Sequence, residues 1–156
     1  MTWLEFSSVV GVLSVLAGSL LTASFYYEEL SEAAVVQLTI ENIRSGLRYQ
    51  IANRLVAHRA TSMGELLGAN PVSWVESAPA GYVGTVRNAD VRALPRGSWF
   101  YDVDLAEFGY KPKLSFHLSI GPGEPILLWQ VKALKTNMPR EPEGLMIVAV
   151  TPYRWF

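Results

Sequence analysis

The sequence of 156 residues contains no cysteine. This absence excludes disulfide bonds, thiolate metal ligands and cysteine nucleophiles together, and it leaves the redox compartment of the protein undetermined. Histidine occurs only twice, and lysine and arginine form no cluster in a chain whose formal net charge is -1. Without a basic patch, the sequence gives no indication of a nucleic-acid contact.

Charge is missing from the first part of the chain. No Asp, Glu, Lys or Arg lies between Phe6 and Tyr27, and about 20 apolar residues are enough for a helix to cross a bilayer. The stretch is longer than the apolar core of a signal peptide, and no basic segment precedes it. We therefore expect residues 1–27 to form a retained membrane-spanning helix.

The flank that follows the apolar stretch is acidic. Glu28, Glu29 and Glu32 come directly after it, and the next basic residue is Arg44. Positive residues favour the cytoplasmic side of a membrane helix, so this flank is expected on the other side. The orientation places the N-terminus inside and the bulk of the chain outside.

The helix is expected to continue beyond the membrane. No proline occurs between residues 28 and 60, and apolar residues recur there at helical spacing. The pattern predicts one helix of roughly 55–60 residues, apolar all round over residues 1–27 and amphipathic over residues 28–60. The predicted apolar face of the second half consists of Leu30, Ala34, Leu38, Ile43, Leu47, Ile51 and Leu55.

After residue 60 the amino-acid composition and the spacing of apolar residues change. Residues 61–97 are rich in Gly, Pro, Ala and Asn, which predicts an irregular connector with one short helix from Ser62. Apolar alternation then predicts four strands, with the last as a covered central strand. Short links between them indicate an antiparallel meander over residues 98–156, covered by the amphipathic helix, in an α+β fold. The predicted strands are residues 98–105, 114–120, 126–134 and 145–150.

The layout and the first residues resemble those of one known family. Met1, Thr2, Leu4 and Glu5 precede an apolar helix, an amphipathic extension and an antiparallel sheet. This resembles the type IV pilin-like family, which includes pilus subunits and the pseudopilins of type II secretion. Mature members of that family start with Phe or, less often, Met, and typically have Thr at the second position and Glu at the fifth.

The resemblance implies a biological setting. A prepilin peptidase would cleave before Met1, and the new amine would be N-methylated. An ATPase-driven platform would then move subunits from the bacterial inner membrane, where the head is periplasmic, into a helical homo-oligomer. The assembled form would be an extracellular pilus or a periplasmic pseudopilus, with Glu5 facing the N-terminal amine of a neighbouring subunit.

Elementary electrostatics supports such a pairing. A carboxylate within a bilayer costs about 2.5–3.5 kcal/mol, so Glu5 needs a positive partner there. The Met1 amine of another subunit satisfies both charges and fixes the axial offset between the two helices, a gain in register more than in net stability. Two simpler roles stay open: Thr2 and Glu5 have the spacing of a capping box, and Glu5 can lie in the headgroup layer.

Small residues follow one another along the anchor. Ser7, Gly11, Ser14, Gly18 and Thr22 recur at steps of three and four. Such a row lets helix backbones approach closely in apolar surroundings, although Gly and Ser are also common in membrane helices generally. We expect this face to serve helix packing.

No catalytic, metal or cofactor site is expected. On the predicted strand His117 shares a polar face with Ser115 and Ser119, and a Ser and a His two residues apart are not a catalytic pair without an orienting acid and an oxyanion hole. Asp102 and Asp104 resemble the start of a calcium loop, but the remaining ligands are missing. The C-terminal sequence TPYRWF ends in an apolar tip, which we expect to dock on the sheet or on a neighbour.

The sequence therefore predicts a structural filament subunit. Two alternatives stay open: a pseudopilin of a type II secretion system, and a single-pass anchored periplasmic binding domain that does not polymerise.

Overall fold

The computed structural model describes residues 2–57, 60–134 and 144–156. One long helix, α1, is followed by a head of short strands and 3₁₀ turns, in agreement with the expected α+β class. The helix is α1 (Trp3–Val56), the strands are β1 (Tyr82–Val86), β2 (Ser98–Asp102), β3 (Glu107–Lys111), β4 (Leu118–Ser119), β5 (Leu127–Ala133), β6 (Leu145–Ala149) and β7 (Arg154–Trp155), and the 3₁₀ turns are Ala60–Leu66, Pro71–Trp74 and Asn88–Ala93.

The two halves of α1 have different surroundings. Every described residue up to Glu28 is exposed, and burial begins at Glu29. The head packs on the second half, and the buried helix residues are Glu29, Val36, Ile40, Ile43 and Leu47. The helix has 54 residues, close to the predicted length.

The predicted apolar face of the second half is only partly correct. Ile43 and Leu47 are buried, but Leu38 is 65% exposed and Leu55 is 55% exposed. Apolar residues occur around much of this helix, so their periodicity alone allowed more than one buried face. The head packs on the helix face whose first buried residue is Glu29. A search for apolar residues at helical spacing does not identify a face that includes a glutamate.

Five of the described strands form one mixed sheet in the order β1-β2-β3-β5-β6. Strand β1 runs parallel to β2, and the other neighbours are antiparallel. The predicted four-stranded antiparallel meander is therefore not matched exactly. The strands β2, β3, β5 and β6 are antiparallel neighbours, but the sheet has a fifth strand, β1, which was not predicted and runs parallel to β2. The prediction that β6 is a central strand is also wrong, because β6 forms an edge and Met146 is 43% exposed.

Strand β1 lies inside the segment that was predicted to be an irregular connector. Gly81 and Gly84 have φ values of +82° and +98°, a backbone conformation that favours glycine. In the sequence, these two glycines look like signals for a turn. The register with β2 shifts between Tyr82 and Thr85. A short strand with an internal glycine and a bulge shows little alternation of apolar and polar residues, so the sequence pattern did not predict β1.

Strand β3 was also predicted to be a connector. Its Gly109 lies opposite Phe100 of β2, and a Cβ at this glycine would lie 2.2 Å from the ring atom Cζ of Phe100. The glycine therefore provides space for a buried ring and does not mark a turn.

Residues 114–120 form almost no strand, contrary to the prediction. Only β4 pairs there, with β7, in a separate two-stranded sheet. Phe116 is 77% exposed, although strand alternation would place it on one apolar face with Leu114, Leu118 and Ile120. The backbone N–H groups of Leu114 and His117 donate to carboxylates of α1 instead of to a neighbouring strand.

The core of the head is aromatic. The Trp99 ring stacks on Phe108 with 5.0 Å between ring centroids, and it lies 4.5 Å from Tyr110 and 5.9 Å from Trp129. These four side chains are buried between the sheet and the second half of α1. Large buried rings therefore make up the core of a head that has no disulfides.

The segment before β1 packs against α1. A Cβ at Gly46 would lie 2.7 Å from the backbone oxygen of Trp74, so this glycine permits close approach of the two segments. The Asn70 amide donates to the Tyr82 hydroxyl at 2.7 Å, and the Tyr101 hydroxyl donates to the Gly68 carbonyl at 2.8 Å. These contacts tie the connector to both the helix and the sheet.

Candidate assembly helix and its junction with the head

The first half of α1 is a free apolar surface in the isolated chain. The helix is long and apolar enough to cross a membrane, and none of its most apolar 18-residue window is buried. Exposed apolar surface of this size marks a site that another apolar phase or molecule covers. This half is therefore the candidate site for membrane insertion and for helix packing.

At the start of α1, Glu5 forms a capping box with Thr2. The Thr2 backbone N–H donates to Glu5 Oε2 at 2.8 Å, and the Glu5 N–H donates to Thr2 Oγ1 at 3.3 Å. This is the simpler role that the spacing allowed. An ionised carboxylate has two oxygens and about four acceptor positions, so the cap leaves capacity for a further donor. Met1, the predicted processing and pairing residue, lies outside the described residues.

The row of small residues is exposed and internally satisfied. The hydroxyls of Ser7, Ser14 and Thr22 each donate to the carbonyl four residues earlier, at 2.8–2.9 Å. A Cβ at Gly11 or Gly18 would meet no atom within 4 Å. The isolated chain therefore gives no internal packing reason for either glycine, and the hydroxyls can enter apolar surroundings without losing a partner.

Glu29 lies where the exposed half ends, and its side chain is fully buried. The carboxylate accepts from the His117 backbone N–H at 2.9 Å and from Trp155 Nε1 at 3.1 Å. Its second oxygen lies 2.9 Å from His117 Nδ1. An ionised carboxylate only accepts, so this ring nitrogen carries a hydrogen.

The surroundings of Glu29 oppose one another in their effect on its pKa. Burial raises the pKa of the carboxyl group, whereas the hydrogen bonds from the His117 side chain and backbone and from Trp155 lower it. The hydrogen bonds prevail, and the pKa of Glu29 lies below its ordinary value of 4.5. The charge is therefore held in place by its donors.

Glu32, one turn further along α1, contacts the other side of the same junction. Its carboxylate accepts from the Tyr110 hydroxyl and the Lys113 backbone N–H, both at 2.6 Å, and from the Leu114 N–H at 3.1 Å. Burial and this hydrogen bond raise the pKa of the Tyr110 hydroxyl. Together Glu29 and Glu32 fix residues 113–117 and the C-terminal strand on the helix.

Aromatic rings cover the side of this junction that faces the first half of α1. The Tyr26 ring contacts His117 and Phe156 edge-on, at centroid distances of 5.4 Å and 5.5 Å. Phe156 stacks on His117 at 4.8 Å. The apolar C-terminal tip thus docks on α1 and on the loop of His117, and β7 pairs with β4. Docking was expected, but on the predicted sheet or on a neighbour.

Sequence reasoning missed the role of Glu29 and Glu32 and treated them only as an acidic flank. A usable signal was present: both residues continue the helical spacing of the buried positions Val36, Ile40 and Ile43 towards the N-terminus. Acids that extend a buried apolar face are expected to have buried donors opposite them.

The remaining candidate residues do not come together as a site. Asp102 Oδ1 accepts from the Asp104 and Leu105 N–H groups, as expected for a turn. Burial and the neighbouring Asp102 charge raise the pKa of Glu107, while Lys132 opposes this. Among the described residues, no group of three or more His, Asp or Glu side chains has an arrangement suited to a metal ion.

No protein-family model, curated protein or solved structure matches the chain. The architecture itself, one long N-terminal apolar helix packed on a sheet, is consistent with a pilin-like arrangement.

Proposed function

We propose that the protein is a structural subunit of a type IV pilus-like filament. It is stored in the inner membrane with its head in the periplasm and polymerises through the first half of α1. The observation that supports this is the contrast within one helix: the head is packed on the second half, while every described residue of the first half is exposed. A membrane covers that surface before assembly, and neighbouring helices cover it afterwards.

Within the filament, Glu5 pairs with the N-terminal amine of a neighbouring subunit. The capping box uses one oxygen of the carboxylate and leaves acceptor capacity for the amine. The two roles are compatible, because the cap orients the carboxylate and the amine neutralises it. The proposal includes a prepilin peptidase and an assembly ATPase platform as partners.

Two substitutions separate the charge of Glu5 from its capping role. Glu5→Gln retains a capping side chain but removes the charge, whereas Thr2→Ala removes the reciprocal cap and retains the charge. We expect Glu5→Gln and Glu5→Ala to leave the protein folded and inserted but to abolish filaments in electron micrographs. We expect Thr2→Ala to assemble. Normal filaments from Glu5→Gln would show that the carboxylate is only a cap.

Mass spectrometry of the N-terminus distinguishes the proposal from an anchored domain that does not polymerise. Cleavage and methylation at the Met1 amine are expected for a filament subunit. An unprocessed formyl-methionine start on the mature, membrane-inserted protein would contradict the proposal.

A further inference from the structure

An exposed aromatic surface lies at the base of the head. We call Tyr26, Phe116, His117 and Phe156 the basal patch. Phe116 projects from the loop before β4 and is 77% exposed, and Phe156 is 39% exposed. The other two rings are held by their mutual contacts and by the bond between His117 and Glu29. Phe116 is thus a large exposed apolar side chain on a loop held by Glu29 and Glu32, and the exposed ring of Phe156 lies beside it. Such a pair indicates a surface that contacts an apolar partner.

A groove connects the basal patch with the apolar half of α1. The groove is open to solvent, has a volume of about 340 Å³ and is lined by Thr22, Phe25, Tyr26, Glu29, Phe116 and His117. The helical part of this lining covers about two turns, or about 10 Å along the axis at 1.5 Å per residue. The groove therefore opens beside the last turns of the uncharged segment, and it is continuous with the surface that faces lipid in an inserted helix.

The position of the patch along α1 favours a lipid partner. Tyr26 and Tyr27 are the last residues before the acidic flank, which is where a membrane helix leaves the hydrocarbon layer. Aromatic side chains concentrate at that depth because their rings are apolar and their polar atoms reach water. The hydrogen bonds of Glu29 and Glu32 to residues 113–117 hold the loop of Phe116 at the same depth as Tyr26.

We propose that the basal patch inserts into the interfacial layer of the membrane that holds α1, and so fixes the tilt of the head on the bilayer before assembly. This inference rests on the membrane storage in the proposed function. The occupant is the lipid surface, because the patch adjoins the lipid-facing helix in the same molecule and needs no second chain to be covered.

Depth measurement by spin labelling tests the proposal, and the lack of native cysteine makes single labels straightforward. A nitroxide on Ser115→Cys reports the loop while leaving Phe116 in place. The full chain is inserted into phosphatidylcholine nanodiscs at one chain per disc. Collision rates with dissolved oxygen and with a water-soluble nickel chelate then give the depth of the label.

Two labels serve as references. Val103→Cys lies in the turn between β2 and β3, at the opposite end of that hairpin from Lys111 and the junction with α1. Leu16→Cys lies in the middle of the apolar half. We expect chelate collisions at Ser115→Cys to be several-fold rarer than at Val103→Cys, and to increase when Phe116→Asn is added but much less with Phe116→Leu.

The possible outcomes are distinct. Equal chelate access at Ser115→Cys and Val103→Cys, with Leu16→Cys protected, would overturn the basal patch proposal and leave the anchor intact. Protection that appears only with two chains per disc would assign the patch to a second copy and overturn the lipid assignment. Chelate access at Leu16→Cys would refute membrane storage itself, and the patch proposal would fail with it.

Discussion

At the level of single residues, the junction between helix and head depends on one buried acid. Glu29 is fully buried and accepts three hydrogen bonds, two from His117 and one from Trp155. A buried carboxylate that has its donors holds them in a fixed arrangement, and its removal leaves each donor without a partner. Glu29 is therefore expected to matter more for stability than the exposed acid beside it.

Replacement of Glu29 by Gln should destabilise the head. The amide retains the size of the side chain but replaces charge-assisted hydrogen bonds by weaker neutral ones, and the His117 ring must change tautomer to accept from the amide N–H. We therefore expect a loss of about 1–3 kcal/mol in the free energy of unfolding. Urea titration of the full chain in detergent micelles, followed by tryptophan fluorescence, measures it. Glu28→Gln is the matched control on the exposed face and should change stability by less than about 0.5 kcal/mol. Equal effects of the two substitutions would contradict this role.

The lowered pKa of Glu29 also gives the sign of a pH dependence. Because the folded-state pKa lies below the ordinary value of 4.5, the unfolded chain binds more protons between these two values, and stability rises with pH there. The contribution of Glu29 is thus present above the ordinary value and is lost as the pH falls through the folded-state pKa. The stability difference between the native chain and Glu29→Gln should shrink on acidification from about pH 6 to about pH 3. A difference that grows towards low pH would contradict it.

At the level of elements, the long helix was predictable and the sheet was only partly so. Uncharged residues from Phe6 to Tyr27 and helical spacing beyond them gave a helix close to the observed Trp3–Val56. Strands β1 and β3 were missed because their glycines serve a positive φ and a close ring contact, uses that a sequence does not distinguish from a turn. Residues 114–120 alternate like a strand, but their N–H groups are engaged by helix carboxylates.

The close approach at Gly46 gives a prediction for the helix–connector contact. Ala is a better helix former than Gly by about 1 kcal/mol, but its Cβ would lie 2.7 Å from the Trp74 backbone oxygen. We expect Gly46→Ala to lower the thermal unfolding midpoint, because a backbone segment must move. Ser45→Ala, on the exposed neighbouring position, gains helix propensity without a clash and should be neutral or slightly stabilising. A higher midpoint for Gly46→Ala would show that the connector moves away easily.

At the level of the whole molecule, the chain combines a head that has its own buried core with a helix half whose apolar side chains are exposed. The aromatic core, the hydrogen bonds of Glu29 and Glu32, and the pairing of β7 with β4 hold the head together and on the helix. The first half of α1 keeps its apolar and small residues exposed, and the hydroxyls of Ser7, Ser14 and Thr22 already donate to helix carbonyls. The candidate residues Thr2, Glu5 and the small-residue row followed from the sequence, but a pairing between copies involves a second molecule and stays a prediction.

The most direct test is an atomic-resolution electron cryomicroscopy map of the assembled filament. The proposed pairing predicts that the Glu5 carboxylate of one subunit lies within about 4 Å of the N-terminal nitrogen of a neighbour, the distance of an ion pair. A filament in which that carboxylate faces water or lipid, with no amine nearby, would contradict the account.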